Sequence, residues 1–135
     1  SRRQRQMCIR DSHVQRLVFC SGKVYYELDA EREALKAEDT IKICRIEQLA
    51  PFPWDLVERE LKRYPNAEVV WCQEEPLNMG AYTHVDQRIR TLFKHLGKEG
   101  ELKYAGRNQA ASPSTGYGSV HAEEQIKLIK DALVL

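Results

Sequence analysis

The stretch AEVVWCQEEPLNMGAYTHVDQRIRTLFKHLG, residues 67–97, joins an apolar run to an amphipathic segment. Its residues 69–72 are continuously apolar, which is typical of a strand that is covered on both faces of a sheet. From Tyr82 onward, apolar residues recur at intervals of three and four, which predicts a helix with one buried face. A strand followed directly by a helix is the repeating unit of a parallel α/β sheet.

The same alternation occurs in the rest of the chain. An apolar run at 17–20 precedes a segment of helix formers, and the strand-like segment 40–49 precedes a helix that starts near Pro53. A weaker strand at 101–107 is followed by a loop of small residues and a last helix. Four strand–helix units predict an α/β domain of three layers, with an open, mostly parallel sheet and helices on both faces.

Each predicted helix has a face of apolar residues one or two turns apart. In chain order, these faces are Val24, Leu28 and Leu35; Leu56, Val57, Leu61 and Tyr64; Tyr82, Val85, Ile89, Leu92, Phe93 and Leu96; and Ala122, Ile126, Ile129 and Leu133.

Composition limits the classes of function. A chain of 135 residues with 42% hydrophobic residues builds one core, and a net charge of +1 gives no reason to expect a nucleic acid partner. No apolar run approaches the roughly 20 residues that span a bilayer, so we expect no membrane partner. The four cysteines form no CxxC pair and have no histidine at ligand spacing, which favours buried thiols in a reducing compartment over a metal site.

Residues 1–12, SRRQRQMCIRDS, differ from the rest of the chain, because they carry four arginines and no apolar period. The segment resembles translated sequencing adaptor. We expect it to be a non-native or disordered leader, with the domain itself spanning residues 13–135 as a fragment of a longer chain.

Polar residues come directly after three of the predicted strands, at the edge where parallel sheets place their functional loops. They are Ser21-Gly22-Lys23, Glu47-Gln48 and Glu74-Glu75. Lys23 beside a helix N-terminus could hold a phosphate, but the segment is neither a P-loop nor a GxGxxG, and most such turns are only tight connections.

Nothing in the sequence completes a catalytic set. Glu74 and Glu75 are adjacent on a strand, so their side chains point to opposite faces and cannot flank one substrate. His84 and His121 lie early in predicted helices, where a surface histidine is the more common interpretation.

Five segments together resemble one family, the carboxyl-terminal domain of 2-oxoglutarate dehydrogenase. They are VFCSGKVYYELDAER at 18–32, RIEQLAPFPWDL at 45–56, RYPNAEVVWCQEEPLNMGAY at 63–82, YAGR at 104–107 and AASPSTGYGSVHAEEQ at 110–125. The resemblance covers residues 13–135. 2-Oxoadipate dehydrogenase shares most of the pattern, and Glu47-Gln48 and the segment 110–113 look more like the oxoglutarate enzyme.

The resemblance implies a mechanism for the whole enzyme, which decarboxylates 2-oxoglutarate on thiamine diphosphate and passes the succinyl group to the lipoyl arm of a dihydrolipoyl succinyltransferase. In this family earlier domains bind the thiamine diphosphate and magnesium. Their GDG-type motif is absent here, so we expect the fragment to bind neither and to be inactive alone. The domain resembles the third domain of the transketolase fold, which braces earlier domains of its chain and contributes to a homodimer. The family works in the mitochondrial matrix of eukaryotes and in the bacterial cytoplasm.

The resemblance also suggests roles for individual residues. Glu74, Glu75, Asn78 and Gly80 would form a contact edge for another domain or subunit, with Gly80 permitting close backbone approach. Ser21, Lys23 and Gln48 would be anion or regulatory contacts.

Gln48 matches the activator site of acetyl-CoA-activated bacterial members. Their arginine pair is replaced by Asp55 and Leu56, however, and an acid repels a phosphate, so activation through this site is not expected. The alternative from another class is a free-standing nucleotide-binding α/β module that uses residues 21–23.

Overall fold

The computed structural model describes residues 13–107 and 118–134, with side chains in the second range from Ala122 onward. The expected leader at 1–12, the segment 110–113 and the side chain of His121 lie outside the described residues. Four strands alternate with four helices, as predicted. Their bounds are β1 Arg16–Cys20, α1 Val24–Ala34, β2 Ile41–Arg45, α2 Trp54–Arg63, β3 Glu68–Pro76, α3 Tyr82–Leu96, β4 Lys103–Arg107 and α4 Gly118–Leu133.

The strands form one parallel sheet in the order β2-β1-β3-β4. At its centre, Cys20 lies opposite Arg45 on one side and opposite Cys72 on the other. Strand β3 runs past its neighbours to Pro76, and its register against β4 shifts between Cys72 and Pro76. The carboxyl ends of the strands therefore share one edge, and β3 projects furthest along it.

Both faces of the sheet are covered, which confirms the three-layer arrangement. Leu17, Phe19 and Trp71 lie on one face, in a core shared with α2 and α3. Val18 and Val70 lie on the other face, in a core shared with α1 and α4. This arrangement explains the continuous apolar runs of β1 and β3, because every side chain of such a strand meets a helix layer.

The predicted buried face of α3 is confirmed, since Val85, Ile89, Leu92 and Phe93 are all buried. Two predicted helix faces need correction. Leu35 lies beyond the end of α1 and is 54% exposed.

In α4, Ala122 is exposed and Ile126 is 57% exposed. The helix instead buries a face near its C-terminal end, made of Leu128, Ile129, Ala132 and Leu133. Apolar residues lie on more than one side of α4, so periodicity alone does not select the buried side, and packing against the sheet does.

Within the described residues, no helix has the length and apolar character that a membrane span requires.

Candidate functional site at the carboxyl edge of the sheet

The chain topology brings the predicted site residues to one edge of the sheet. Ser21 and Lys23 come after β1, and Gln48 comes after β2. Glu74 and Glu75 are among the last residues of β3, and the turn that carries Asn78 and Gly80 leads from β3 into α3. Because β1 pairs with both β2 and β3, the segment 21–23 lies between the other two groups along the edge.

Gln73 organises this edge, although sequence reasoning did not single it out. Its side chain is buried, at 2% exposure. Its Oε1 accepts hydrogen bonds from Trp71 Nε1 at 2.9 Å and from the backbone N–H of Tyr82 at 3.0 Å. Its Nε2 donates to the carbonyls of Glu75 at 3.1 Å and Pro76 at 2.9 Å. The amide thus uses two donors and two acceptors, which is its full capacity.

Contacts within this chain explain why residue 80 is a glycine. A Cβ placed on Gly80 would lie 2.5 Å from Gln73 Oε1 and 2.8 Å from Gln73 Nε2. The sequence-based interpretation attributed this glycine to the approach of a neighbouring domain. The close approach that the structure shows is to the Gln73 amide.

The two adjacent glutamates point in different directions, as the strand geometry predicts. Glu74 Oε1 accepts a hydrogen bond from Gln125 Nε2 of α4 at 2.9 Å. Glu75 is exposed. The first backbone N–H of α3, that of Tyr82, bonds to Gln73 rather than to a glutamate. Of the pair, Glu75 is therefore the one presented to solvent.

Arg107, at the end of β4, links Glu74 to α4 and was also missed by sequence reasoning. It is only 9% exposed. Its guanidinium donates to the Glu74 carbonyl and to Gln125 Oε1 at 3.0 Å, and it pairs with Glu124 at 3.0 Å. Gln125 Nε2 also donates to Glu27 at 2.8 Å. A partly buried network of one cation and three carboxylates thus joins β3, β4, α1 and α4.

This network does not fit a diphosphate. Its guanidinium is already paired, and the carboxylates of Glu27, Glu74 and Glu124 would repel the phosphate oxygens. The network around Arg107 is therefore built to join elements of the domain rather than to hold phosphate groups.

The three residues predicted as anion or regulatory contacts, Ser21, Lys23 and Gln48, have ordinary loop geometry. Gly22 has φ +80°, a conformation that glycine adopts without strain, and it lets β1 turn directly into α1. Lys23 is exposed at the N-cap position of α1, and Ser21 is half-buried. Gln48 is exposed, and its Nε2 donates to the Ala50 carbonyl at 3.1 Å. Residues 21–23 therefore form a tight βα connection, whereas Gln48 lies in the longer loop between β2 and α2.

Arg45 lies beside these residues. Its guanidinium lies over the rings of Tyr25 and Tyr26, 5.7 and 5.2 Å from their centroids. It donates to the Tyr26 hydroxyl at 3.2 Å and pairs with Glu47 at 3.2 Å. Since Arg45 is engaged by these groups, it ties the end of β2 to the start of α1.

Three of the six large apolar side chains that are exposed among the described residues lie at the same edge. Tyr26 is 61% exposed near the start of α1, Trp54 is 41% exposed at the start of α2, and Met79 is 38% exposed in the turn before α3. The Trp54 ring packs edge-on against Phe52, with centroids 4.9 Å apart. His84 of α3 contacts the loop between β2 and α2, because its Nε2 lies 3.0 Å from the Leu49 carbonyl.

The cysteines of the strands are packing residues. Cys20, Cys44 and Cys72 are buried free thiols, and Cys44 faces the opposite helix layer from the other two. Burial raises the pKa of Cys20 to about 12 and that of Cys44 to about 11, and it also raises the pKa of Cys72. Across the described ranges, no group of three or more histidine, cysteine or acidic side chains is arranged to hold a metal ion.

Solved structures support the fold. A split-gene transketolase, described as an inactive beta4 tetramer, superposes with a TM-score of 0.58 over 92% of this chain and 40% of its own. At 12% sequence identity, this likeness concerns the fold alone.

Sequence comparison identifies the family. The mitochondrial 2-oxoglutarate dehydrogenase of Caenorhabditis briggsae is 46% identical over 117 residues, which are 87% of this chain and 11% of the relative. That of Dictyostelium discoideum is 42% identical over 120 residues, and the 2-oxoglutarate dehydrogenase E1 component of Brucella anthropi is 45% identical over 125 residues. These cover 89% and 92% of this chain, and 12% of each relative.

The chain thus spans about a tenth of the length of these curated relatives. None of their names favours the oxoadipate enzyme or a nucleotide-binding module. Residues 2–133 match the family described as 2-oxoglutarate dehydrogenase C-terminal, and the chain belongs to that family.

Proposed function

We propose that this domain is the carboxyl-terminal scaffold of a 2-oxoglutarate dehydrogenase E1 component, and that the carboxyl edge of its sheet docks against the rest of the enzyme. The enzyme decarboxylates 2-oxoglutarate and passes the succinyl group to the lipoyl arm of a dihydrolipoyl succinyltransferase. The domain braces the earlier domains of its own chain and contributes to the homodimer. It works in the mitochondrial matrix if the source is a eukaryote, and in the cytoplasm if it is a bacterium.

One observation carries the docking role. Tyr26 on α1, Trp54 on α2 and Met79 in the turn before α3 are large apolar side chains, and all three are exposed where strands lead into helices. Aromatic and methionine side chains are enriched in interfaces, where they serve as anchors. Glu75 and Asn78 add polar groups to the same edge, which matches the mixed character of such contacts.

Catalysis belongs to other parts of the enzyme. Thiamine diphosphate supplies the decarboxylation chemistry, with magnesium, and we infer that both bind outside this domain. The acidic network around Arg107 supports this, because a diphosphate requires cationic or N–H donors that are not already paired. Asp55, exposed in the first turn of α2, likewise argues against acetyl-CoA as an activator at this edge.

The test uses the full-length E1 component that contains this domain. Trp54→Ala and Met79→Ala should each weaken subunit association or lower turnover of 2-oxoglutarate at least fivefold. Leu35→Ala is the control, because Leu35 is an apolar residue that is even more exposed, at 54%, and lies past the end of α1, away from the carboxyl edge. Association is measured by analytical ultracentrifugation. If Trp54→Ala and Met79→Ala both associate and turn over like the parent, or no worse than Leu35→Ala, the edge is not a docking surface.

A further inference from the structure

We propose that Gln73 is the positioning residue of the docking edge. Its buried amide sets the shape of the turn that presents Glu75, Asn78 and Met79, without itself touching the partner. This inference rests on the proposed function, since it concerns the same edge of the sheet.

Gln73 is an unusual residue to find fully buried. Glutamine is mostly a surface residue, and a buried amide is costly unless all of its donors and acceptors are paired. Here all are paired, through Trp71, Tyr82 and the carbonyls of Glu75 and Pro76. A fully satisfied buried polar network rigidifies and specifies one local structure, which an apolar side chain at this position would not do.

The four hydrogen bonds connect the two ends of one turn. Nε2 holds the carbonyls where β3 ends, at residues 75 and 76, and Oε1 holds the N–H of Tyr82, where α3 begins. The Trp71 indole fixes the rotation of the amide from inside the strand. The Pro76 carbonyl also accepts the backbone N–H of Met79 at 2.9 Å. The turn is therefore closed on the Gln73 side chain as well as on its own backbone.

Gly80 leaves the space that the Gln73 amide occupies. Any side chain on Gly80 would displace the amide, because the position of its Cβ is only 2.5 Å from Gln73 Oε1. The turn therefore places its one glycine against the amide and its exposed side chains, Glu75, Asn78 and Met79, on the outside. Gln73 itself is 2% exposed, so its effect on a partner must act through the turn.

The experiment compares variants of the full-length E1 component. Gln73→Glu keeps the size and both acceptors, but it puts an oxygen where Nε2 now donates to two carbonyls, so the turn has to move. Gln73→Met keeps the length and removes every polar contact, and it replaces the first variant should that one fail to fold. Val57→Ala is the matched control, because Val57 is fully buried in α2 and lies outside the turn.

Three quantities are measured: the melting temperature of each variant and, at a temperature below all of these, the dimer dissociation constant and the turnover of 2-oxoglutarate. The dissociation constant reports contact with the other subunit, and turnover reports contact with the catalytic domains of the same chain. We expect a Gln73 variant to change one of the last two at least tenfold. Val57→Ala should change each less than twofold, even though its melting temperature also falls.

If the Gln73 variants change association and turnover no more than Val57→Ala at a comparable loss in melting temperature, Gln73 supports only stability and the inference is overturned. When Met79→Ala weakens association or turnover and the Gln73 variants do not, this inference fails while the docking edge stands. When Met79→Ala and Trp54→Ala are silent as well, the proposed function fails too.

Discussion

The side-chain amide of Gln73 packs directly against Gly80, where a Cβ would lie 2.5 Å from Gln73 Oε1. We expect Gly80→Ala to destabilise the chain by about 2 kcal/mol, because the methyl group forces the amide out of two or more hydrogen bonds worth roughly 1 kcal/mol each. Urea denaturation of the parent and the variant measures this loss.

The control for this prediction is a double-mutant cycle with Gln73→Ala, which removes the group that collides. The loss from Gly80→Ala should be smaller by about 1 kcal/mol in that background. Strictly additive losses would contradict the contact.

Arg16 joins the amino-terminal side of the sheet to the end of α4. It is 7% exposed, donates to the carbonyls of Asp131 at 3.0 Å and Ala132 at 3.1 Å, and pairs with Glu68 at 2.7 Å. Arg16→Met should cost about 3 kcal/mol of unfolding free energy, since it strips a buried cap from the negative end of the helix. Denaturant titration provides the measurement, with Lys127→Met as the control for an exposed cation on α4. Equal losses in the two variants would show that the Arg16 contacts add nothing.

The fold was accessible from the sequence because its signals are local. The apolar run of β3 and the spacing of Val85, Ile89 and Leu92 in α3 each identify an element without knowledge of its neighbours. The buried face of α4 was not accessible in this way. Ile126 and Ile129 fit one stripe equally well, but only contact with the sheet decides that Ile126 stays exposed.

The same contrast explains what was predictable about the edge. Glu74 and Glu75 were recognisable because charges directly after an apolar strand mark its carboxyl end. The role of Gln73 depends on Tyr82, nine residues away in the chain. The role of Arg107, on β4, depends on Gln125 in α4. The only sequence signal for Gln73 was a polar residue directly after an apolar run, and that signal does not reveal its partners.

The strand cysteines should be inert in the folded protein. Because burial raises the pKa of Cys20 to about 12 and that of Cys44 to about 11, almost no thiolate exists at pH 8, and the thiols are also out of reach. Iodoacetamide at pH 8 should leave Cys20, Cys44 and Cys72 unmodified over an hour, and should label all three in 6 M guanidinium (about the concentration that unfolds most domains). Peptide mapping by mass spectrometry reads the result, and rapid labelling of Cys44 in the native state would contradict it.

Glu68 should make stability fall in acid. Hydrogen bonds from Lys103 and then Arg16 lower the pKa of its carboxyl group below the usual value. The group is therefore ionised in the folded state at a pH where the unfolded chain binds a proton. Its contribution is present above about pH 4.3 and is lost as the pH falls through the lower pKa of the folded state.

Since the Glu68 side chain is 44% exposed, its contribution should not exceed about 1 kcal/mol. Unfolding free energies of the parent and Glu68→Gln between pH 3 and 6, a range that brackets the usual carboxyl pKa, measure it. The difference between the two should shrink toward low pH. A difference that stays constant across this range would rule out the ionised carboxylate as its source.

Glu74 and Glu75 should separate stability from assembly. Glu74→Ala removes the acceptor of the Gln125 hydrogen bond, which should cost about 1 kcal/mol of unfolding free energy and leave subunit association unchanged. Glu75→Ala truncates an exposed side chain, so it should alter stability by less than about 0.5 kcal/mol. In the full-length E1 component it should weaken association severalfold, with a smaller effect at high salt, because a charge at the rim of an interface acts through screened electrostatics. Ultracentrifugation at two salt concentrations, alongside denaturant titration of both variants, tests the pair together. The opposite pattern, with Glu74→Ala weakening association and Glu75→Ala silent, would mean that the partner binds on the α1 and α4 side of the edge rather than at the turn before α3.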